Sequence, residues 1–276
     1  MLAASFAAWL SARGENSVMA DLNVEMPEMY LFMKTQVMKR ENIDGRKYAK
    51  IDQELCIHCD ICREKCRFDA AEYGQATFTI NRQKCIGCTL CILNCPTDAI
   101  EQMSSSSGRY IEGNTDFGRI IYGQMTTASG ANERMITIIR ERAAKLAKMY
   151  DADVIISDGV PGTGISRTAE LQNAGFVVIV LSCIRDDAGS LAGIHEITKS
   201  LDLECGVILN MDNCSEKHNS NILKYCNEND IPILGTMAEL PEINKATAKG
   251  KIAYTELPHY GELFENIFKS IKAHAW

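Results

Sequence analysis

The chain is 276 residues long, with 24% charged and 46% hydrophobic residues and a formal net charge of −7. That length accommodates a core of ordinary size plus a small extra module, and the acidic balance argues against nucleic acid or an acidic membrane surface as the main partner. No apolar run of about 18 residues occurs, so no transmembrane helix is expected.

MLAASFAAWLSARG (residues 1–14) is apolar enough to resemble a signal peptide, but its first charge, Arg13, follows the apolar run instead of preceding it. Strong helix formers ending at Gly14 predict an amphipathic or buried helix. Ser17 to Asp21 (SVMAD) reads as a buried strand. Asp21, Asn23 and Glu25 gather at its end, where an open α/β sheet binds ligands and where an acidic loop would look the same. Met29 to Lys39 carries no clear pattern, and Lys47 to Ile51 is a short strand candidate.

From Cys56 the chain reads CIHCDICREKC, and after eighteen residues CIGCTLCILNC, followed by Pro96. Each half is a C-x2-C-x2-C-x3-C run, and the two start 29 residues apart, an internal repeat that predicts two pseudo-twofold halves. Cysteines at i, i+3 and i+6 wrap a loop around three corners of a cubane cluster, and in two-cluster ferredoxins the fourth cysteine of each run serves the other cluster. The assignment is Cys56, Cys59, Cys62 and Cys95 for one [4Fe-4S] cluster, and Cys85, Cys88, Cys91 and Cys66 for the second. Zinc also uses C-x2-C pairs, but its four tetrahedral ligands gain nothing from a third step or from the duplication. Disulfides at this density belong to small secreted scaffolds. His58 reads as an exposed loop residue, and Arg67 stands where the first run would be expected to have proline.

Cluster ligands bind as thiolates, which brings the loaded protein to about −11 and suits a basic redox partner. Such clusters require a reducing compartment, so a cytoplasmic location is expected.

Further along, Ser104 to Gly108 (SSSSG) reads as a flexible exit linker and Gly108 to Met125 as a hairpin. Ala131 to Tyr150 is an amphipathic helix, with Met135, Ile138, Ile139, Ala143, Leu146 and Met149 at helical spacing. From Asp153 strands alternate with helices. DVIIS runs into Asp158 and a glycine-rich turn; FVVIVLS (176–182), GVILN (206–210) and IPILG (231–235) follow, separated by helices at 187–201 and 215–227, and a helix at 261–273 closes the chain. This pattern indicates βαβ units around a parallel sheet. Asp158 at its strand end either serves a ligand or caps the next helix, and Asn210 either pairs with a nucleobase edge or turns the chain. Cys183, Cys205, Cys214 and Cys226 lack metal spacing and read as small buried hydrophobes.

Taken together, ADLNVEMP (Ala20 to Pro27), the double-ferredoxin insert, SDGVPG (Ser157 to Gly162) and GVILNMD (Gly206 to Asp212) resemble the MinD/ParA-like P-loop ATPase superfamily, in the Mrp-related branch with an inserted ferredoxin domain. The resemblance covers essentially the whole chain. It implies an α/β fold with a mostly parallel P-loop NTPase-type sheet over residues 1–50 and 104–276, and an α+β bacterial 2[4Fe-4S] ferredoxin-like domain over 51–103. It implies ATP and magnesium as ligands beside the two clusters, with Asp21 and Asn23 in the first switch, Asp158 and Gly162 in the second switch near magnesium, and Asn210 near adenine. A homodimer binding ATP between its subunits is implied too, and nucleotide state coupled to electron transfer or cluster handling with an iron-sulfur or redox partner protein. An electron carrier with a vestigial nucleotide domain is the alternative.

The departures from that pattern are specific. The family's KGGxGKT loop is absent from the 276 residues, Asn23 stands where an aspartate is common, and Met211 replaces a basic residue. MLAASFAAWLSARG resembles the helix that follows the missing loop, which would also bring a central strand. The expectation is a chain begun at an internal methionine, with that strand left out.

Overall fold

The computed structural model describes all residues except 127–131, 161–166, 183–187, 211–215, 239–240, 253–260 and 275–276. The chain forms two compact units: residues 1–40, 110–124 and 132–276 in the first, 41–109 and 125–131 in the second. It first passes from one to the other within a single strand and returns within another, and it belongs to the second unit again over 125–131.

The first helix, α1 (Leu2–Ala12), ends where Gly14 takes φ +82° and the N–H of Glu15 reaches back to the carbonyl of Leu10, a glycine-dependent stop. It is buried nearly all round, from Ala4 to Leu10, as a helix packed on both sides must be. Strand β1 (Ser17–Asp21) is buried throughout. A 3-10 turn at Met29–Phe32 then leads into β2 (Gln36–Ile51), so the expected strand at 47–51 is the end of a sixteen-residue one.

The second unit holds α2 (Ile61–Glu64), β3 (Ala71–Gly74), β4 (Thr77–Ile80) and α3 (Leu90–Leu93). Its core is Tyr48, Ile51, Phe78 and Ile100 packed against cysteine sulfurs. The chain leaves along β5 (Ile100–Thr115), and here the linker expectation is corrected: Ser104 to Gly108 lie inside the strand. Serine ends no strand when a neighbour is there to pair with, and β5 lies beside β2, with Ser105 Oγ donating to the carbonyl of Arg46. A short turn at Asp116–Phe117 joins β5 to β6 (Gly118–Met125), its neighbour.

Helix α4 (Asn132–Met149) buries Met135, Ile136, Ile139, Ala143 and Leu146. Met149, expected on that face, is 69% exposed because it sits on the last turn. Then come β7 (Val154–Asp158), α5 (Arg167–Leu171), β8 (Val177–Ser182), α6 (Ala188–Ser200), β9 (Cys205–Asn210), α7 (Glu216–Glu228), β10 (Ile233–Met237), α8 (Pro241–Ala248) and α9 (Gly261–His274).

Among the described residues the strands form a five-stranded sheet in the order β2-β5-β6-β1-β7 and a three-stranded one, β10-β9-β8. β1 runs parallel to β6 and β7, and β9 runs parallel to β8 and β10. Side chains of both sheets, among them Met19, Ile120, Ile156, Ile208 and Leu234, enter one core with α1 and α9. There Phe6, Trp9, Phe264 and Phe268 pack ring on ring at 5.6–6.3 Å. The other face of the smaller sheet packs Ile179, Leu181 and Val207 against Leu191, Ile222 and Cys226. The apolar runs of β7 and β8 read as strands buried on both faces, yet Ile155 is 42% and Val180 45% exposed. Among the described residues each strand ends its sheet, with a neighbour on one side only.

Candidate iron-sulfur and nucleotide sites

The cysteine repeat is visible in the backbone. His58 and Gly87, Asp60 and Thr89, and Asp69 and Asp98 are pairs 29 residues apart, and their φ values are +56° and +70°, +66° and +66°, and +49° and +52°. Each loop therefore makes the same left-handed turns, and Asp60 and Thr89 each introduce a single-turn helix, α2 or α3. Left-handed turns favour glycine, asparagine and aspartate, a signal present in the sequence at Asp60, Gly87, Asp69 and Asp98 and not used there. At Gly87 the glycine is obligatory, because an added Cβ would stand 2.6 Å from the carbonyl oxygen of Lys47.

Cys56, Cys59, Cys62 and Cys95 line one cavity, walled by Ile51, Ile61 and Phe78. Thiolates spread around an apolar hollow fit a cluster with one iron at each corner. Burial pushes the Cys62 thiol up to about 11, and the charges of Cys56, Cys91 and Cys59 add to this. Burial raises Cys91 as well, with Cys85 and Cys88 contributing. Iron bound to such sulfurs replaces the proton, so the burial that disfavours a free thiolate is compatible with a ligated one.

The fourth cysteines differ from the rest. Burial acts to raise Cys66 and Cys95, but hydrogen bonds outweigh it: N–H groups of Phe68, Ala70 and Ala71 hold Cys66 below its ordinary value, and Thr97 with the N–H of Ala99 holds Cys95 down. The Ala70 and Ala99 nitrogens stand 3.3 Å from their sulfurs at matching places in the repeat. His58 is exposed, as expected.

A family of 4Fe-4S dicluster domains matches residues 49–103. In the solved structures, the chain is similar to the Pyrococcus furiosus cell division ATPase MinD (14% identity, TM-score 0.50, covering 97% of this chain and 91% of that one). It is also similar to a ParA family ATPase from Chlorobium tepidum (12%, 0.53, 98% and 91%) and to the Aquifex aeolicus cell division protein MinD (10%, 0.51, 98% and 90%). The chain has a MinD/ParA-like fold with an inserted 4Fe-4S dicluster domain. No curated protein sequence matches it. The Aquifex MinD is also known in a complex with MinC, to which the chain is similar at 10% identity.

In the MinD/ParA-like unit the sequence candidates fall into two groups at strand ends. Asp21 and Asp158 stand side by side in the register of β1 and β7. Asp21 is 2% exposed, and its two carboxylate oxygens accept the N–H groups of Asn23, Glu28 and Met29 at 2.9–3.0 Å. Burial pushes its carboxyl up to about 6 against those donors, and the charge of Asp158 adds to the rise. Burial also raises Asp158, offset by the Met1 amino group and reinforced by Glu28. Asn23 turns its own side chain to the N–H of Met26 at 3.4 Å.

Asn210 ends β9 in register with Ser182 of β8 and Met237 of β10. Gly162, Met211, Cys183 and Cys214 lie outside the described residues. Cys205 and Cys226 are buried, and His195 is buried with Nδ1 3.2 Å from the Tyr225 hydroxyl. No helix among the described residues is long and apolar enough to cross a membrane.

Proposed function

We propose that the dicluster domain holds two [4Fe-4S] clusters, one on Cys56, Cys59, Cys62 and Cys95 and one on Cys85, Cys88, Cys91 and Cys66. In this reading the chain couples an ATP-dependent conformational switch to electron transfer or cluster handling. Bound clusters supply one-electron chemistry; the protein supplies the thiolates, the apolar walls and the backbone donors at Cys66 and Cys95. The observation that carries the reading is the cavity lined by Cys56, Cys59, Cys62 and Cys95, which brings the remote fourth cysteine to the first run. The partner is an iron-sulfur or redox protein in a reducing, cytoplasmic setting, and the working form is a homodimer.

Connectivity supports the coupling. The loop held by Asp21 leads through the 3-10 turn into β2, which enters the dicluster domain. The return strand β5 neighbours β6, which pairs with β1. Magnesium would be held by Asp158, which stands beside Asp21 in the register of β1 and β7. The second reading is an electron carrier whose nucleotide unit is vestigial.

Anaerobic reconstitution with iron and sulfide counts, followed by titration with ATP and magnesium, separates the two. Eight irons and a cluster potential or transfer rate that changes with ATP support coupling. Eight irons and no response to ATP leave the vestigial reading, and no iron retained overturns both.

A further inference from the structure

The duplication that makes the two cluster sites alike in backbone makes them unlike in charge. Before Cys56 the chain reads Asp52, Gln53, Glu54, Leu55; at the matching places before Cys85 it reads Asn81, Arg82, Gln83, Lys84. All of these residues except the half-buried Asn81 are exposed. One approach therefore carries two acids and the other two bases. Arg46 adds a third positive charge to the second approach, its guanidinium donating to the carbonyl of Gln83 at 3.0 Å. Arg67 follows Cys66, a ligand assigned to that second site, where the other site has the neutral Pro96 after Cys95.

The neighbouring charges do not cancel this difference. Lys84 pairs with Glu72 at 2.9 Å, but Arg82 lies over the Tyr48 ring at 4.6 Å, with no acid in that contact. Near the first site Arg63 pairs with Asp60, leaving Asp52 and Glu54 uncompensated by that arginine. Asp69 and Asp98 occupy equivalent places and contribute to both sites alike. Donors to sulfur do not separate the sites: the N–H of Ala70 on Cys66 and that of Ala99 on Cys95 match at 3.3 Å, and Ala49 on Cys85 at 3.4 Å is answered by the Thr97 hydroxyl 3.8 Å from Cys95 Sγ, so the charges carry the difference.

Reducing a cluster adds one electron and one negative charge, with no bond made or broken. Positive surroundings and N–H donors to sulfur stabilise the reduced form and raise the potential. We propose that the two sites are unequal, and that the cluster on Cys66, Cys85, Cys88 and Cys91 has the higher potential and takes the first electron. Transfer within the domain then runs downhill from the cluster on Cys56, Cys59, Cys62 and Cys95 towards it. This rests on the two-cluster reading above.

The test is an anaerobic redox titration of the reconstituted full chain with a low-potential one-electron reductant, followed by electron paramagnetic resonance. Iron and sulfide are counted first: fewer than eight irons overturns the two-cluster reading and this proposal with it. With eight present, two one-electron steps are expected. Arg82→Gln with Lys84→Gln should lower the upper potential and leave the lower one in place, while Asp52→Asn with Glu54→Gln should raise the lower potential and leave the upper. Because these charges are exposed, the gap should also narrow as salt rises from about 0.01 M to about 1 M, where the screening length falls from about 30 Å to about 3 Å. A single unsplit potential, or variants that move the opposite steps, overturns the proposal even with all eight irons bound.

Discussion

Asp21 and Asp158 stand in register at the C-terminal ends of neighbouring parallel strands, and burial, with the charge of the second adding to it, holds the carboxyl of the first near 6 instead of 3.8. Between those values the folded protein binds a proton at Asp21 that the unfolded chain has released. Stability from this group is therefore present below about pH 4 and declines as pH rises to about 6, by about 3 kcal/mol in all. A carbon-13 titration of the Asp21 carboxyl should give a midpoint near 6 that vanishes in Asp21→Asn; a midpoint near 4 would show the burial effect to be absent.

The crossed assignment of the fourth cysteines makes separate forecasts for two substitutions. Cys95→Ser should empty the site of the first run and Cys66→Ser that of the second, each taking the iron count from eight to about four in reconstituted protein. If Cys95→Ser instead removed the cluster of its own run, leaving the signal that the Arg82 and Lys84 substitutions do not move, the crossing would be wrong.

Gly87 and His58 occupy the same place in the repeat with different tolerance. Gly87→Ala puts a methyl group 2.6 Å from the Lys47 carbonyl oxygen at a positive φ, and should sharply reduce iron retention at the second site. His58→Asn keeps a residue suited to the left-handed region and should bind the full complement. Equal iron counts in the two variants would contradict this.

Phe264 is 1% exposed and packs on Phe6 and Trp9. Phe264→Ala should cost about 3–5 kcal/mol in urea unfolding of the MinD/ParA-like unit, with iron content unchanged. A loss below about 1 kcal/mol would mean that α9 is not a part of the core.

Much of this was legible in the order of residues, because the strongest signals are local. Spacing alone marked the cysteine repeat as iron-sulfur, and a family of 4Fe-4S dicluster domains matches it over 49–103; continuous apolar runs placed β1, β8 and β9, and helical spacing α4, α6 and α7, to within a residue or two. The failures came where a distant partner decides. Ser104 to Gly108 have linker composition, but β2 alongside turns them into strand, and nothing near serine in sequence announces that neighbour. Asp21 was recognisable as a strand-end acid, whereas its occupation by three backbone N–H groups depends on how the loop to Met29 folds back. Ile155 and Val180 carry the pattern of interior strands, and only the sheet order shows them at edges.

Those two edges have a consequence for how copies of the chain meet. Among the described residues β7 and β8 each end a sheet, and an exposed strand edge with apolar side chains is a template for pairing with another chain. With Ile155 and Val180 presented to solvent at strands that, among the described residues, each end a sheet, Ile155→Lys and Val180→Lys are expected to lower the light scattering of concentrated protein.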